Sequence, residues 1–180
     1  VFRSQWIKYL DCYKNLDINI SLDAVGDILE YVRYPNKWKK VYNNLKLFKE
    51  LQQQNDNIRI CLNPCVHALN LTGIHKVLDT AIEFGFHATP SFVYEANGYD
   101  YLKISRLKDD VRNKEADIIE EKIKTFHNHS FTESFIKSIR ETKFSLGNHS
   151  KQFKELVEYW DSHKHTKFLD LYPHLQYLIN

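Results

Sequence analysis

The stretch Asn19–Pro35, NISLDAVGDILEYVRYP, decides how the chain is to be read. It opens as a strand. Ile18, Ile20 and Leu22 alternate with Asn19, Ser21 and Asp23, so one face is apolar and the other carries an amide, a hydroxyl and a carboxylate. Gly26 breaks the alternation, and Tyr31-Val32-Arg33-Tyr34-Pro35 leads into a long amphipathic helix. A strand with polar groups on one face, then a loop, then a helix, is how an α/β barrel presents ligand-binding side chains. The competing reading is an antiparallel strand with one face on the core and the other in water.

Outward from this stretch the pattern repeats. Residues 2–15 have helical spacing at Phe2, Trp6, Leu10 and Tyr13, ahead of a strand at 17–22. After Pro35 a helix runs to about Gln54, with Trp38, Val41, Tyr42, Leu45, Phe48 and Leu51 on one stripe. A second strand, 58–66, sets Ile58, Ile60, Leu62, Pro64 and Val66 against Arg59, Cys61, Asn63 and Cys65, with His67 continuing the polar face. Pro64 has no N–H for a ladder, so a bend or an edge is expected there. Asn70 or Thr72 is placed to cap a helix over 71–84, and Gly85 to end it. A third strand is expected at 87–94, where His87, Thr89 and Ser91 alternate with Ala88, Pro90 and Phe92. An irregular segment to Leu107 contains the turn-forming pair Asn97-Gly98. Helical periodicity then continues at 108–128, 131–144, 149–163 and 167–178, the last split by Pro173.

Strands alternating with helices predict parallel strands joined by right-handed crossovers. The fold class expected is therefore α/β: the C-terminal half of a partial TIM-like (β/α) barrel, residues 1–107, followed by a helical extension, residues 108–180, packed on it. Half a barrel leaves open sheet edges, so either the missing half lies upstream or the terminal helices cover an edge.

Composition narrows the function classes. A net charge of +2 over 180 residues gives no strong electrostatic case for nucleic acid or for an anionic membrane surface. No apolar run reaches the roughly 18 residues that a membrane span needs. Three cysteines make no disulfide framework, which points to a reducing, cytoplasmic setting. The absence of methionine, position 1 included, reads as a piece of a longer or processed protein.

The segment SLDAVGDILEYVRYPNKWKKVYNNLKLF resembles the middle of the radical S-adenosylmethionine enzymes, and within them the twitch-domain subgroup. That family's fourth strand ends in Ser-x-Asp-(Ala/Gly), followed by Tyr-(Ile/Val)-Arg-Tyr-Pro, Lys-Trp and a helix with Asn before Leu. Ser21, Asp23, Ala24, Tyr31, Val32, Arg33, Tyr34, Pro35, Lys37, Trp38, Asn44 and Leu45 match it in register. Asn63-Pro64 and Leu69-Asn70 are similar to the next strand, and Phe153–Tyr159, Asp161, Phe168, Pro173 and Leu175 to the family's tail. The likeness thus spans almost the whole chain and is densest over 19–45. Three family features are absent: the CxxxCxxC loop that holds a [4Fe–4S] cluster, the glycine-rich segment after the second strand, and the auxiliary-cluster cysteines. The proline-containing loop that the family shows near 94–107 is also missing.

The resemblance implies a C-terminal fragment of such an enzyme, with the upstream half of the same polypeptide as partner and a small molecule or peptide as substrate. The cofactors implied are S-adenosylmethionine and, in the parent protein, a [4Fe–4S] cluster whose ligands lie outside this chain. Ser21 and Asp23 would hydrogen-bond the ribose or methionine part, Arg33 would pair with the carboxylate, and Asn63 would reach the adenosyl part. The residue types suit those tasks: a guanidinium fork fits a carboxylate, and a Ser/Asp pair fits hydroxyls and an ammonium. Alternatives remain for single residues. Arg33 could stack on Tyr34 at the surface, and Asn63 could cap the ladder's end. Two alternatives remain for the whole, a cluster-free accessory or binding module and a metal-dependent barrel hydrolase; a nucleic-acid module is a further option that the aromatics and lysines favour and the near-neutral charge disfavours. His127-x-His129 and His163-x-His165 lie on helical segments, where positions i and i+2 do not share a face, so they make poor chelates. Cys12, Cys61 and Cys65 are expected as small apolar side chains in or near the core, with no cluster of their own.

Overall fold

The computed structural model describes residues 13–93, 99–127, 130–131 and 133–180. The expected helix over 2–15, Cys12, the Asn97-Gly98 turn and His129 fall outside these residues, wholly or in large part. The first strand, β1 (Leu16–Ile20), is followed by a two-turn helix α1 (Gly26–Val32) and then by α2 (Trp38–Gln54). Strand β2 (Ile58–Leu62) and the short β3 (Cys65–Val66) precede α3 (Ile74–Phe84). Strands β4 (His87–Ala88) and β5 (Ser91–Phe92) lead through two 3-10 turns into α4 (Asp109–Ile123), α5 (Glu133–Glu141), α6 (Ser150–His163) and α7 (Phe168–Leu171). A 3-10 helix, Pro173–Leu178, ends the chain's regular structure.

Among the described residues all strand pairing is parallel. One sheet has the order β1-β2-β4, with Ile18 beside Ile60, Asn19 beside Cys61, and Cys61 beside His87. β3 and β5 form a second pair, Cys65 beside Ser91. The antiparallel reading of β1 is thereby excluded. The strands follow one another in sequence order with no switch point, and among the described residues they do not close into a barrel.

Two predicted strands are each split in two, and the splits share one cause. Backbone N–H groups of Thr89, Ser91 and Val93 donate to the carbonyls of Leu62, Pro64 and Val66, so the two chains stay side by side throughout. The return bond from residue 64 to the Thr89 carbonyl is the rung that Pro64, having no N–H, cannot make. Pro90 falls on the alternate positions, whose backbone groups face away from β2. There the outer edge is taken up by the tail: Ser130 N–H donates to the Ala88 carbonyl at 2.8 Å.

The apolar face of the sheet is the core. Ile60, Leu62 and Ala88 are fully buried, and Leu45, Phe48, Leu51, Val77, Leu78 and Ala81 from α2 and α3 pack in the same cluster. Helix α3 ends where expected: Gly85 takes the left-handed conformation, φ +68°, and Phe86 N–H closes the last turn on the Ala81 carbonyl. Helix α1 was not legible as a helix. Seven residues show less than two full periods, and its burial falls on Leu29 and Tyr31 alone.

The helical tail is fastened back onto the strand–helix part. Tyr31 is 1 % exposed, donates to Asp161 at 2.9 Å, and meets the rings of Trp160 and Tyr172 edge-on at 5.4 and 6.2 Å. Tyr172 in turn donates to the Leu69 carbonyl. Phe92 stacks on Phe135 of α5 at 4.6 Å. No helix among the described residues is long and apolar enough to cross a membrane.

Candidate functional site

Among the described residues, the polar face of the sheet is the face the helices leave bare. Asp17, Asn19, Ser21 and Arg59 are exposed on it, and Asn63, His87 and Thr89 are half-buried. At its lower end Arg59 forks onto Asp17, with Nε 2.8 Å from Oδ1 and Nη2 3.0 Å from Oδ2. Toward the carboxyl ends of the strands a chain of side chains runs across the sheet. Asn63 Nδ2 donates to Asn19 Oδ1 at 3.1 Å, Cys61 Sγ lies 2.9 Å from Asn63 Oδ1 and 3.4 Å from Thr89 Oγ1, and His87 Nε2 lies 3.2 Å from Ser130 Oγ.

All four residues singled out from the sequence sit at this carboxyl end. Asn63 N–H donates to the Ile20 carbonyl at 2.8 Å, which continues the ladder past β1 and sets Ser21 beside Asn63. Asp23 comes one turn of the pleat later. It is 2 % exposed, and its carboxylate is engaged on both oxygens: Oδ1 accepts the Cys65 N–H at 2.8 Å, and Oδ2 accepts Arg33, an ion pair formed through Nε and Nη2. Arg33 ends α1, so the pair brackets that helix and fixes where the guanidinium stands. About half of the Arg33 side chain is open to solvent. A ligand at this end therefore meets Ser21, Asn63 and the outer side of Arg33 directly, and meets Asp23 only through Arg33.

Beneath the pair lies a residue whose role sequence reasoning missed. Asn70 or Thr72 was expected as a helix cap; Asn70 stands at the N-cap of the 3-10 turn Leu71–Gly73, but its side chain accepts no hydrogen bond from that turn. Instead its amide nitrogen donates to the Asp23 and Cys65 carbonyls, each at 2.8 Å, and its oxygen accepts the His67 N–H at 2.7 Å. One fully buried amide thus joins the end of β1 to the turn after β3. His67 belongs to the same knot. Its Nδ1 accepts the Leu69 N–H at 3.2 Å, and burial pushes its pKa down to about 4, against the pull of nearby Asp23. The ring is neutral at physiological pH. Cys65 is half-buried, and desolvation together with the Asp23 carboxylate pushes its thiol pKa up, which favours the inert thiol.

Among the described residues no three His, Cys, Asp or Glu side chains come together as a metal-binding group. Cys61 is directed at Asn63 and Thr89, while Cys65 stands beside Asp23, so the two thiols serve different surroundings. The donor set present fits recognition of a carboxylate, hydroxyls and amides. It does not fit an iron–sulfur cluster held by these residues.

No known protein family, curated protein or solved structure matches this chain.

Proposed function

We propose that this chain is the C-terminal part of the barrel of a radical S-adenosylmethionine enzyme and supplies part of its cofactor and substrate site. The observation that supports the reading best is the placement of Ser21, Asn63 and the Asp23-held Arg33 together at the carboxyl ends of adjacent parallel strands. That end is where α/β barrels bind ligands. The bare polar face agrees with the reading. Parallel sheets are ordinarily covered on both faces, and in a barrel the face without helices lines the lumen.

In this reading Arg33, kept in one orientation by Asp23, pairs with the carboxylate of S-adenosylmethionine. Ser21 and Asn63 hydrogen-bond its hydroxyl and amino groups, and Asn19 and Cys61 fix the Asn63 amide. The cofactor supplies the radical; these residues bind and orient. The cluster's cysteines belong to the upstream half of the same polypeptide, and the substrate is a small molecule or peptide.

The upstream reading frame tests this first. A CxxxCxxC motif in frame before Val1 is the expected result, and a start codon directly before Val1 with no such motif would overturn it. The same reading predicts that inorganic iron and sulfide, added anaerobically to these residues alone, assemble no stoichiometric cluster. A visible absorbance lost on Cys61→Ala would contradict that.

A further inference from the structure

Two arginines of the tail are buried, and the chain treats them differently. Arg112 is fully buried and well supplied: it pairs with Asp109 at 2.6 Å and donates to the carbonyls of Leu107, Ile139 and Thr142. Arg106, 1 % exposed, has no carboxylate among the described residues. It donates to the Leu146 carbonyl and, at 3.2 Å, to Ser150 Oγ, and its guanidinium lies 5.3 Å from the Phe153 ring centre. Its buried Nε has no acceptor among the described residues. Desolvation lowers its pKa, and Tyr177 offsets this only in part. A buried cation left this way is costly unless an anion joins it.

Arg106 lines a cleft of about 280 Å³, together with Lys103, His149, Ser105, Ser145 and Gly147. The 14-residue helix α6 starts at this cleft. His149 is its N-cap residue, no side chain caps it, and its first turn holds no acidic residue. Its opening amides and the positive end of its dipole are thus available beside the guanidinium. Among the described residues one carboxylate, Asp100, borders the cleft. It pairs with Lys103 at 2.8 Å and stands 3.9 Å from His149 Nε2. The Arg106 guanidinium and the start of α6 stand beside this pair.

We propose that this cleft binds the phosphate group of a small ligand. A guanidinium, an ammonium, hydroxyls and helix N-terminal amides approaching from several sides suit the oxygens of a tetrahedral anion better than a planar carboxylate. The cleft is at the small end of ligand pockets, which run from roughly 300 Å³ upward, so it takes a phosphate and few further atoms. Lys103 and Ser105 also border a second cavity of about 390 Å³, walled by Val66, Phe92 and Ile104, which offers room for the body of the ligand. The proposal stands apart from the S-adenosylmethionine reading, since Ser21, Asp23, Arg33 and Asn63 take no part in it.

The test is a titration of the whole chain with inorganic phosphate, followed by calorimetry and by ³¹P line broadening, with sodium acetate as the comparison anion. Saturable phosphate binding is expected, about tenfold weaker in Arg106→Gln, the loss typical of one charge-assisted contact. Lys103→Gln, at a half-exposed position, should weaken it several-fold with unchanged circular dichroism. If Arg106→Gln does not fold, Lys103→Gln decides alone. The proposal is overturned if the folded wild-type chain shows no saturable phosphate binding, if Lys103→Gln binds as well as wild type, or if acetate binds as tightly as phosphate.

Discussion

Asp23 and Arg33 form an asymmetric pair: the carboxylate is 3 % exposed at its side chain and the guanidinium 48 %. Removing one partner is therefore unlike removing the other. Arg33→Ala strands a buried carboxylate that, among the described residues, keeps the Cys65 N–H alone as donor, whereas Asp23→Asn leaves a guanidinium that turns out to water. We expect a loss of about 2–3 kcal/mol for Arg33→Ala and about 1 kcal/mol for Asp23→Asn in urea unfolding. Equal losses would show that the pair is a surface contact of no special geometry.

Asn70→Ala removes three hydrogen bonds to buried backbone groups at one stroke. Each orphaned group costs roughly 1–3 kcal/mol, so a loss of about 3 kcal/mol or more is expected. A loss below about 1 kcal/mol would mean that water replaces the amide, and that the knot under Asp23 is not what holds the strand ends together.

His67 gives stability a pH dependence of known sign. Its pKa is about 4 in the folded chain, below the ordinary value of 6.5, so the unfolded chain binds the proton first as pH falls. Its contribution is complete above pH 6.5 and is lost progressively down to about pH 4, amounting to about 3 kcal/mol. Carboxylates titrate in the same range, so the informative quantity is the difference between wild type and His67→Gln. That difference should shrink between pH 7 and pH 4; a difference independent of pH would show that the ring titrates normally.

The tail and the strand–helix part should unfold together. Asp161 accepts both the Tyr31 hydroxyl and the Phe168 N–H at 2.9 Å, and Tyr172 reaches back to Leu69. Asp161→Ala should cost about 2 kcal/mol, Tyr31→Phe about 1, and the double variant less than their sum. Far-UV circular dichroism and tryptophan fluorescence should give one transition. Two separate transitions would make residues 108–180 an independent unit.

Much of this arrangement was written in local pattern. The period-two alternation at Ile18–Asp23, Ile58–His67 and His87–Phe92 located all three strand regions and named the polar face correctly. Parallel pairing followed from the helices between them. The failures are of two kinds. Pro64 was noticed, but the ladder bond it omits is made to Thr89, 25 positions later in the chain, so the split into β2 and β3 could not be drawn from the neighbourhood of Pro64 alone. Asn70, Ser130 and Arg106 are the other kind. Ser130 and Arg106 act on partners far away in sequence, Asn70 joins local partners to the distant Asp23, and Asn is read locally as a cap or a turn residue. The side chain of Asp23 shows the limit most clearly: its type suggested a ligand group, while its burial, a property of the assembled fold, makes it the support for Arg33.

The most direct test of the central claim is calorimetric titration of S-adenosylmethionine into the complete polypeptide that contains these residues, as wild type and as Arg33→Ala shown to be folded at the same temperature. Loss of the guanidinium–carboxylate pair should weaken binding by about tenfold or more. Unchanged affinity would remove Arg33 from the site and, with it, the reading of these strand ends as part of a radical S-adenosylmethionine enzyme.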